Sequence, residues 1–176
     1  MTTTQSTITI DQNVEMTTRD GVVLRSDVYR PDNGGAYPVL LCRTPYDKLR
    51  DQYVRVAKSL APRGYTVVVQ DVRGRYASDG IFEWQFSAAP IEEDARDGYD
   101  AVEWIAKQPW CDGQIGTWGH SYPSWCIWRL LGEAPPSLTA VFAGGMSPDL
   151  MDLNFGIFET GRRLEWTYQM AVDARA

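Results

Sequence analysis

The 176 residues predict an α/β fold, a mostly parallel sheet with helices on both faces. Three observations carry that expectation. Pro38–Cys42 and Thr66–Val69 are continuous apolar runs of strand length, as strands covered on both faces require. Between them Tyr53, Val56, Ala57 and Leu60 recur at helical spacing. The alternation of strand-like and helix-like stretches then repeats further along the chain.

Each element follows from local pattern. Ile8 and Ile10 mark a first strand, and Val22, Leu24, Ser26 and Val28 alternate with Val23, Arg25, Asp27 and Tyr29 as a second. Pro31-Asp32-Asn33-Gly34-Gly35 is a turn cluster, and Pro62 with Gly64 stops the first helix. Ala95, Tyr99, Val102, Ile105 and Ala106 predict a second helix. It opens on Glu92, Glu93 and Asp94 and closes on Lys107, the charge order its dipole favours. The Asp112-Gly113 turn leads into a short strand, Gln114 to Trp118, and Trp125 to Leu131 is an apolar helical run. Leu138–Ala143 is one more apolar strand. Phe155, Phe158, Leu164, Tyr168 and Val172 then form a roughly helical apolar pattern.

Composition bounds the function. With 44% hydrophobic and 23% charged residues the chain can bury a normal core, and a formal net charge of −6 speaks against nucleic acid or an anionic membrane as partner. The polar start Met1-Thr2-Thr3-Thr4-Gln5-Ser6 carries no signal-peptide pattern, so a cytoplasmic location is expected. Cys42, Cys111 and Cys126 are odd in number and sit in or near apolar contexts, which reads as reduced core thiols. There is no C-x-x-C and no histidine cluster, so neither metal nor cofactor is expected.

The chemistry concentrates at Gly119-His120-Ser121-Tyr122-Pro123-Ser124. Strand, tight turn, serine and helix form the context of a nucleophile elbow, in which a strained backbone pushes the serine hydroxyl out of the sheet top. Gly119 and Ser124 are small where strand and helix nearly touch, and Pro123 is tolerated in a first helical turn. The competing interpretation is a serine that merely caps a buried helix.

Further segments bear on that choice. Arg43-Thr44-Pro45-Tyr46-Asp47-Lys48 follows one apolar run, and Gln70-Asp71-Val72-Arg73-Gly74-Arg75 with Ser78-Asp79-Gly80 follows the next. Asp97-Gly98-Tyr99-Asp100, Glu103-Trp104-Ile105 and Gln108-Pro109-Trp110 precede the elbow. In this order they resemble the Xaa-Pro dipeptidyl-peptidase family of serine hydrolases, most closely its cocaine-esterase-like branch, from about Met16 to Asp149.

The resemblance implies an α/β-hydrolase fold, here truncated after the sixth strand. Residues 1–146 would be the front of the catalytic domain and 147–176 the beginning of a helical cap. It implies Ser121 as the nucleophile of an acyl-enzyme, with the Tyr122 backbone N–H and the Tyr46 phenol as oxyanion donors. Without it, Tyr46 is a packed tyrosine in a loop. The implied substrate is a small-molecule ester or amide, or an Xaa-Pro peptide.

One test fails. In α/β hydrolases the triad runs Ser, then Asp or Glu, then His. The only histidine here is His120, beside the serine and on its wrong side, so it is read as a packed elbow residue. Two classes of function therefore stand: the nucleophile-bearing N-terminal piece of a serine hydrolase, or a non-enzymatic remnant or interaction module. The partner expected is the missing C-terminal half, or a second copy. Asp71 and Arg73, at a strand end where they could line a site, are expected instead to form an ion pair holding the loop Gly74–Gly80. Asp97 and Asp100 are expected on a solvated or capping face, and Trp118, Trp125 and Trp128 in packing around the elbow.

Overall fold

The computed structural model describes residues 7–83, 92–146 and 160–173, with side chains in the last stretch from 164 onward. Six strands form one sheet: β1 (Ile8–Thr17), β2 (Val23–Pro31), β3 (Tyr37–Thr44), β4 (Thr66–Asp71), β5 (Cys111–His120) and β6 (Leu138–Gly144). Their order is β1-β2-β4-β3-β5-β6. β1 and β2 join by antiparallel pairing, and β4, β3, β5 and β6 run parallel. Four helices accompany them: α1 (Asp51–Leu60), α2 (Glu92–Ile105), α3 (Tyr122–Gly132) and α4 (Thr160–Asp173).

The period of two divides the apolar runs between the faces. Val39, Leu41 and Val68 point toward α2 and α3, where they meet Ala101, Val102, Ile105 and Leu130. Cys42, Val67 and Val69 point the other way, onto Tyr53 and Ala57 of α1 and Ala61 beyond it. Every residue of β4 is buried. A continuous apolar run without polar alternation is what a doubly covered strand demands, and each fully buried Val or Leu stabilises by roughly 1.5–3 kcal/mol.

Two strands are longer than their patterns indicate. β1 reaches Thr17 because pairing with β2 carries it through a bulge between Asp11 and Val14. β5 begins at Cys111, so Asp112-Gly113 is an irregularity inside it and not a turn before it; Gly113 sits at φ 94°. The two sheet edges differ. β1 carries Asp11 and Glu15, tied to Arg30 and Arg25 of β2. β6 carries no charge, and Val141 and Phe142 stand exposed, the latter at 69%.

α4 packs through Met170, which is buried, and through Trp166, which joins the cluster of Val72, Tyr122, Trp125 and Cys126. Leu164, Tyr168 and Val172, the described part of its expected apolar pattern, face outward. Phe155 and Phe158 lie outside the described residues. Among the described residues no helix is long and apolar enough to cross a membrane, and no group of three His, Cys, Asp or Glu could hold a metal ion.

Candidate active site

Ser121 stands alone between the end of β5 and the start of α3, at φ 63° and ψ −125°. A non-glycine residue pays strain for that backbone. The surroundings over-determine it. Ser121 N–H donates to Gly144 O on β6 at 2.9 Å, and its carbonyl accepts from Ser124 N and Trp125 N. The Ser124 hydroxyl lies 2.8 Å from Gly119 O and 2.6 Å from Gly144 O, and accepts from Gly144 N at 2.8 Å. A Cβ at Gly119 would meet the backbone and side chain of Pro123 at 2.7 Å, so only glycine lets helix and strand approach this closely. Tyr122 opens α3, which places its backbone N–H in the first helical turn, at the positive end of the helix dipole.

Tyr46 arrives from the other side. β3 ends at Thr44, whose Oγ1 accepts from Tyr46 N at 3.1 Å and donates to Tyr53 OH at 2.8 Å. The Tyr46 ring meets the Tyr122 ring edge-on at 6.0 Å, with the Arg50 guanidinium 5.1 Å over it. Burial pushes the Tyr46 phenol up to about 12, while hydrogen bonding with Trp166 and Ser121 pulls the other way. The phenol therefore keeps its proton at neutral pH.

The segment that carries Tyr46 is anchored by a buried cation. Lys48 Nζ lies 3.1 Å from Asp71 Oδ2 and 3.8 Å from Asp27 Oδ1, all three side chains nearly inaccessible. Lys48 N–H also donates to Asp71 Oδ1 at 2.8 Å. Burial raises the Asp71 pKa, and the charge and hydrogen bonds of Lys48 oppose the rise. Asp71 further accepts from Ala77 N at 3.3 Å, so one carboxylate joins the Tyr46 segment to the loop after β4.

Beside the Tyr122 ring opens a cavity of about 410 Å³, lined among others by Val72, Arg73, Phe82, Glu93 and Asp94. It is large enough for a small organic group next to the elbow.

Comparison with known proteins gives this arrangement a relationship. Residues 20–175 match the X-Pro dipeptidyl-peptidase (S15) family. The chain belongs to that family. The cocaine esterase of a Rhodococcus species is 39% identical over 146 residues, covering 80% of this chain and 24% of the esterase. A CocE/NonD family hydrolase from Staphylococcus aureus superposes with a TM-score of 0.82 at 25% identity, covering 96% of this chain and 33% of the hydrolase. An α-amino acid ester hydrolase superposes at 0.64 with 24% identity, over 80% of this chain and 26% of that one, a likeness of fold. The 176 residues thus span about a quarter of the cocaine esterase and a third of the staphylococcal hydrolase. The fold is that of the α/β hydrolases.

Within this S15 chain, Ser121, Tyr46 and Tyr122 come together at one end of the sheet. His120 does not join them. Its imidazole packs on Gly145, where a Cβ would strike Nε2 at 2.4 Å, and on Gly144. The expected Asp71–Arg73 pair is not formed. Asp71 takes Lys48, while Arg73 reaches Asp97 at 2.6 Å and Asp20 at 2.8 Å. Strand residues two apart share a direction only while the strand continues, and β4 ends at Asp71. Asp97 is not solvated either: it is 1% exposed, between Arg73 and Arg43, because α2 turns that face onto the strand ends. Asp100 does lie near the surface and binds Arg19. Trp125 is buried in the elbow cluster, Trp118 meets Tyr53 edge-on, and the Trp128 indole donates to Met146 O. Sequence reasoning assigns no role to Lys48. Its signal is a lysine four residues past a strand end, too common a pattern to stand out.

Proposed function

We propose that this chain carries the nucleophile and oxyanion site of a serine hydrolase acting on ester or amide bonds. Ser121 Oγ attacks the substrate carbonyl carbon, and the tetrahedral oxyanion is held by the Tyr46 phenol and the Tyr122 backbone N–H. Collapse expels the alcohol or amine and leaves an acyl group on Ser121, which water then removes. The observation that carries this is the strained backbone of Ser121 beside a buried, protonated Tyr46 phenol. A serine that only capped a helix would need neither.

The proton on Ser121 needs a base. His120 faces Gly145, so the proposed acid and histidine come from polypeptide beyond these 176 residues. Residues 1–146 act as the front of the catalytic domain, and 147–176 begin a helical cap. Ester substrates are favoured over Xaa-Pro peptides because a relative 39% identical to this chain is a cocaine esterase. A cytoplasmic location fits three free thiols, two of them buried. One observation favours the alternative, an inactive remnant or interaction module: the single histidine of these 176 residues, His120, packs on Gly145 and not on Ser121.

The test is covalent capture. The chain is incubated with a p-nitrophenyl ester and analysed by mass spectrometry for an acyl group on Ser121. Adduct formation in the wild type and none in Ser121→Ala is expected. Equal labelling of both proteins, or an adduct on another residue, refutes the assignment.

A further inference from the structure

Arg75 lies in the loop after β4 and is 1% exposed. A buried guanidinium normally faces a carboxylate, because desolvating a lone charge is costly. The ion pairs among the described residues leave Arg75 out. Its fork is spent on two backbone carbonyls instead. Nε donates to Pro45 O at 2.9 Å, and Nη1 donates to Met170 O at 2.9 Å. Among the described residues Nη2 makes no well-formed hydrogen bond, the guanidinium also acts on the Tyr76 phenol by charge and hydrogen bonding, and the cation rests 5.1 Å from the ring centroids of both Tyr76 and Phe82.

Those two carbonyls are far apart in sequence and close to one place. Pro45 immediately precedes Tyr46. Met170 lies about one turn beyond Trp166, whose ring packs 6.1 Å from that of Tyr122, and the Tyr122 ring in turn meets the Tyr46 ring edge-on at 6.0 Å. The planar fork of an arginine fixes two acceptors at once, which a lysine or an apolar side chain of equal volume does not. We propose that Arg75 is a positioning residue of the oxyanion site, tying the Tyr46 segment to α4 so that the phenol is presented to Ser121 only while that helix is docked. The proposal rests on Tyr46 being the oxyanion donor. It adds that the donor's placement depends on α4, through a cation that touches neither substrate nor nucleophile.

Amide hydrogen exchange on the full chain tests the coupling. In Arg75→Gln, residues 45–50 and α4 should lose protection together, by about tenfold, the scale expected for one or two net hydrogen bonds lost. β3 and β4 should exchange as in the wild type. Arg75→Lys keeps the charge but not the planar fork, so it should fold and show the same paired loosening to a smaller degree. Loosening of one segment alone, a uniform rise across the sheet, or an α4 unprotected in the wild type each overturns the proposal. A fluorophosphonate that labels Ser121 supplies the second readout. Arg75→Gln and Tyr46→Phe should each slow labelling, and the double variant should be no slower than the slower single one. Additive slowing means Arg75 does not act through Tyr46. Labelling of the wild type no faster than Ser121→Ala instead removes the serine-nucleophile assignment, and the exchange result then decides the Arg75 coupling alone.

Discussion

Replacing Ser121 by glycine should stabilise the chain relative to replacing it by alanine. The usual order is the reverse, since glycine loses more backbone entropy on folding and costs roughly 0.5–1 kcal/mol against alanine in a regular element. Ser121 is not in a regular element. At φ 63° and ψ −125° it occupies a sparsely populated conformation, which costs a residue with a Cβ about 1–3 kcal/mol. Both substitutions delete the same hydroxyl and whatever it bonds, so their difference isolates the backbone. Subtracting the entropy cost from the strain leaves glycine ahead by about 1 kcal/mol, within a range of roughly 0–2.5. For a chain of this length that is about 2–4 °C in Tm. Urea titration followed by circular dichroism, with Ser121→Gly and Ser121→Ala measured side by side, reads the difference directly. An alanine variant more stable than the glycine variant by the ordinary margin would show that the elbow is relaxed, and the strain assigned to a presented nucleophile would go with it.

Other expectations concern activity, charge and association. The chain alone should turn over short activated esters feebly, since general-base assistance is typically worth about 10²- to 10⁴-fold; brisk p-nitrophenyl ester turnover abolished by Ser121→Ala contradicts this. In a longer form that carries the missing base, Tyr46→Phe should lower kcat by roughly 10²- to 10³-fold with KM less changed, and wild-type kcat would remove Tyr46 from the chemistry. Lys48→Met leaves Asp71 and Asp27 buried without their cation, a loss of about 3–5 kcal/mol at pH 7. Burial already raises the folded pKa of Asp71, and removing Lys48 raises it further. The variant should therefore regain stability as pH falls through that raised value, and a Tm deficit that widens from pH 7 to pH 5 refutes the account. With Phe142, Leu164 and Tyr168 all more than two-thirds exposed, the isolated chain should self-associate and bind an apolar-surface dye, as light scattering and fluorescence would show.

The elements were legible because their signals are local. An apolar run of four or five residues between helical repeats needs no partner to be recognised as a covered strand, and β3 and β4 stand where Pro38–Cys42 and Thr66–Val69 put them. The elbow was legible for the same reason: glycine, serine and proline each answer a constraint within six residues. What could not be read was the choice of ionic partner. Asp71 is two residues from Arg73 and 23 from Lys48, yet it binds Lys48, because parallel pairing of β3 with β4 brings Thr44 opposite Asp71. Asp97 was misread because a helix with acidic residues on two faces gives no indication of which face meets Arg43 and Arg73. Arg75 escaped notice for a related reason. Its partners are main-chain carbonyls, and every residue supplies one of those.

The two borders of the sheet have consequences for anyone handling the protein. β1 closes its side with a bulge, two carboxylates and their arginine partners, so a tag or surface linker attached near Ile8 meets a border that rejects further strands. β6 offers an uncharged row, Leu138-Thr139-Ala140-Val141-Phe142-Ala143-Gly144, with its outer backbone edge uncovered among the described residues. Fusion or immobilisation on that side places the foreign polypeptide against a ready template that ends at Gly144, the residue that holds both Ser121 and Ser124. A label placed at β1 lies at the far border from the elbow; one placed at β6 lies against it.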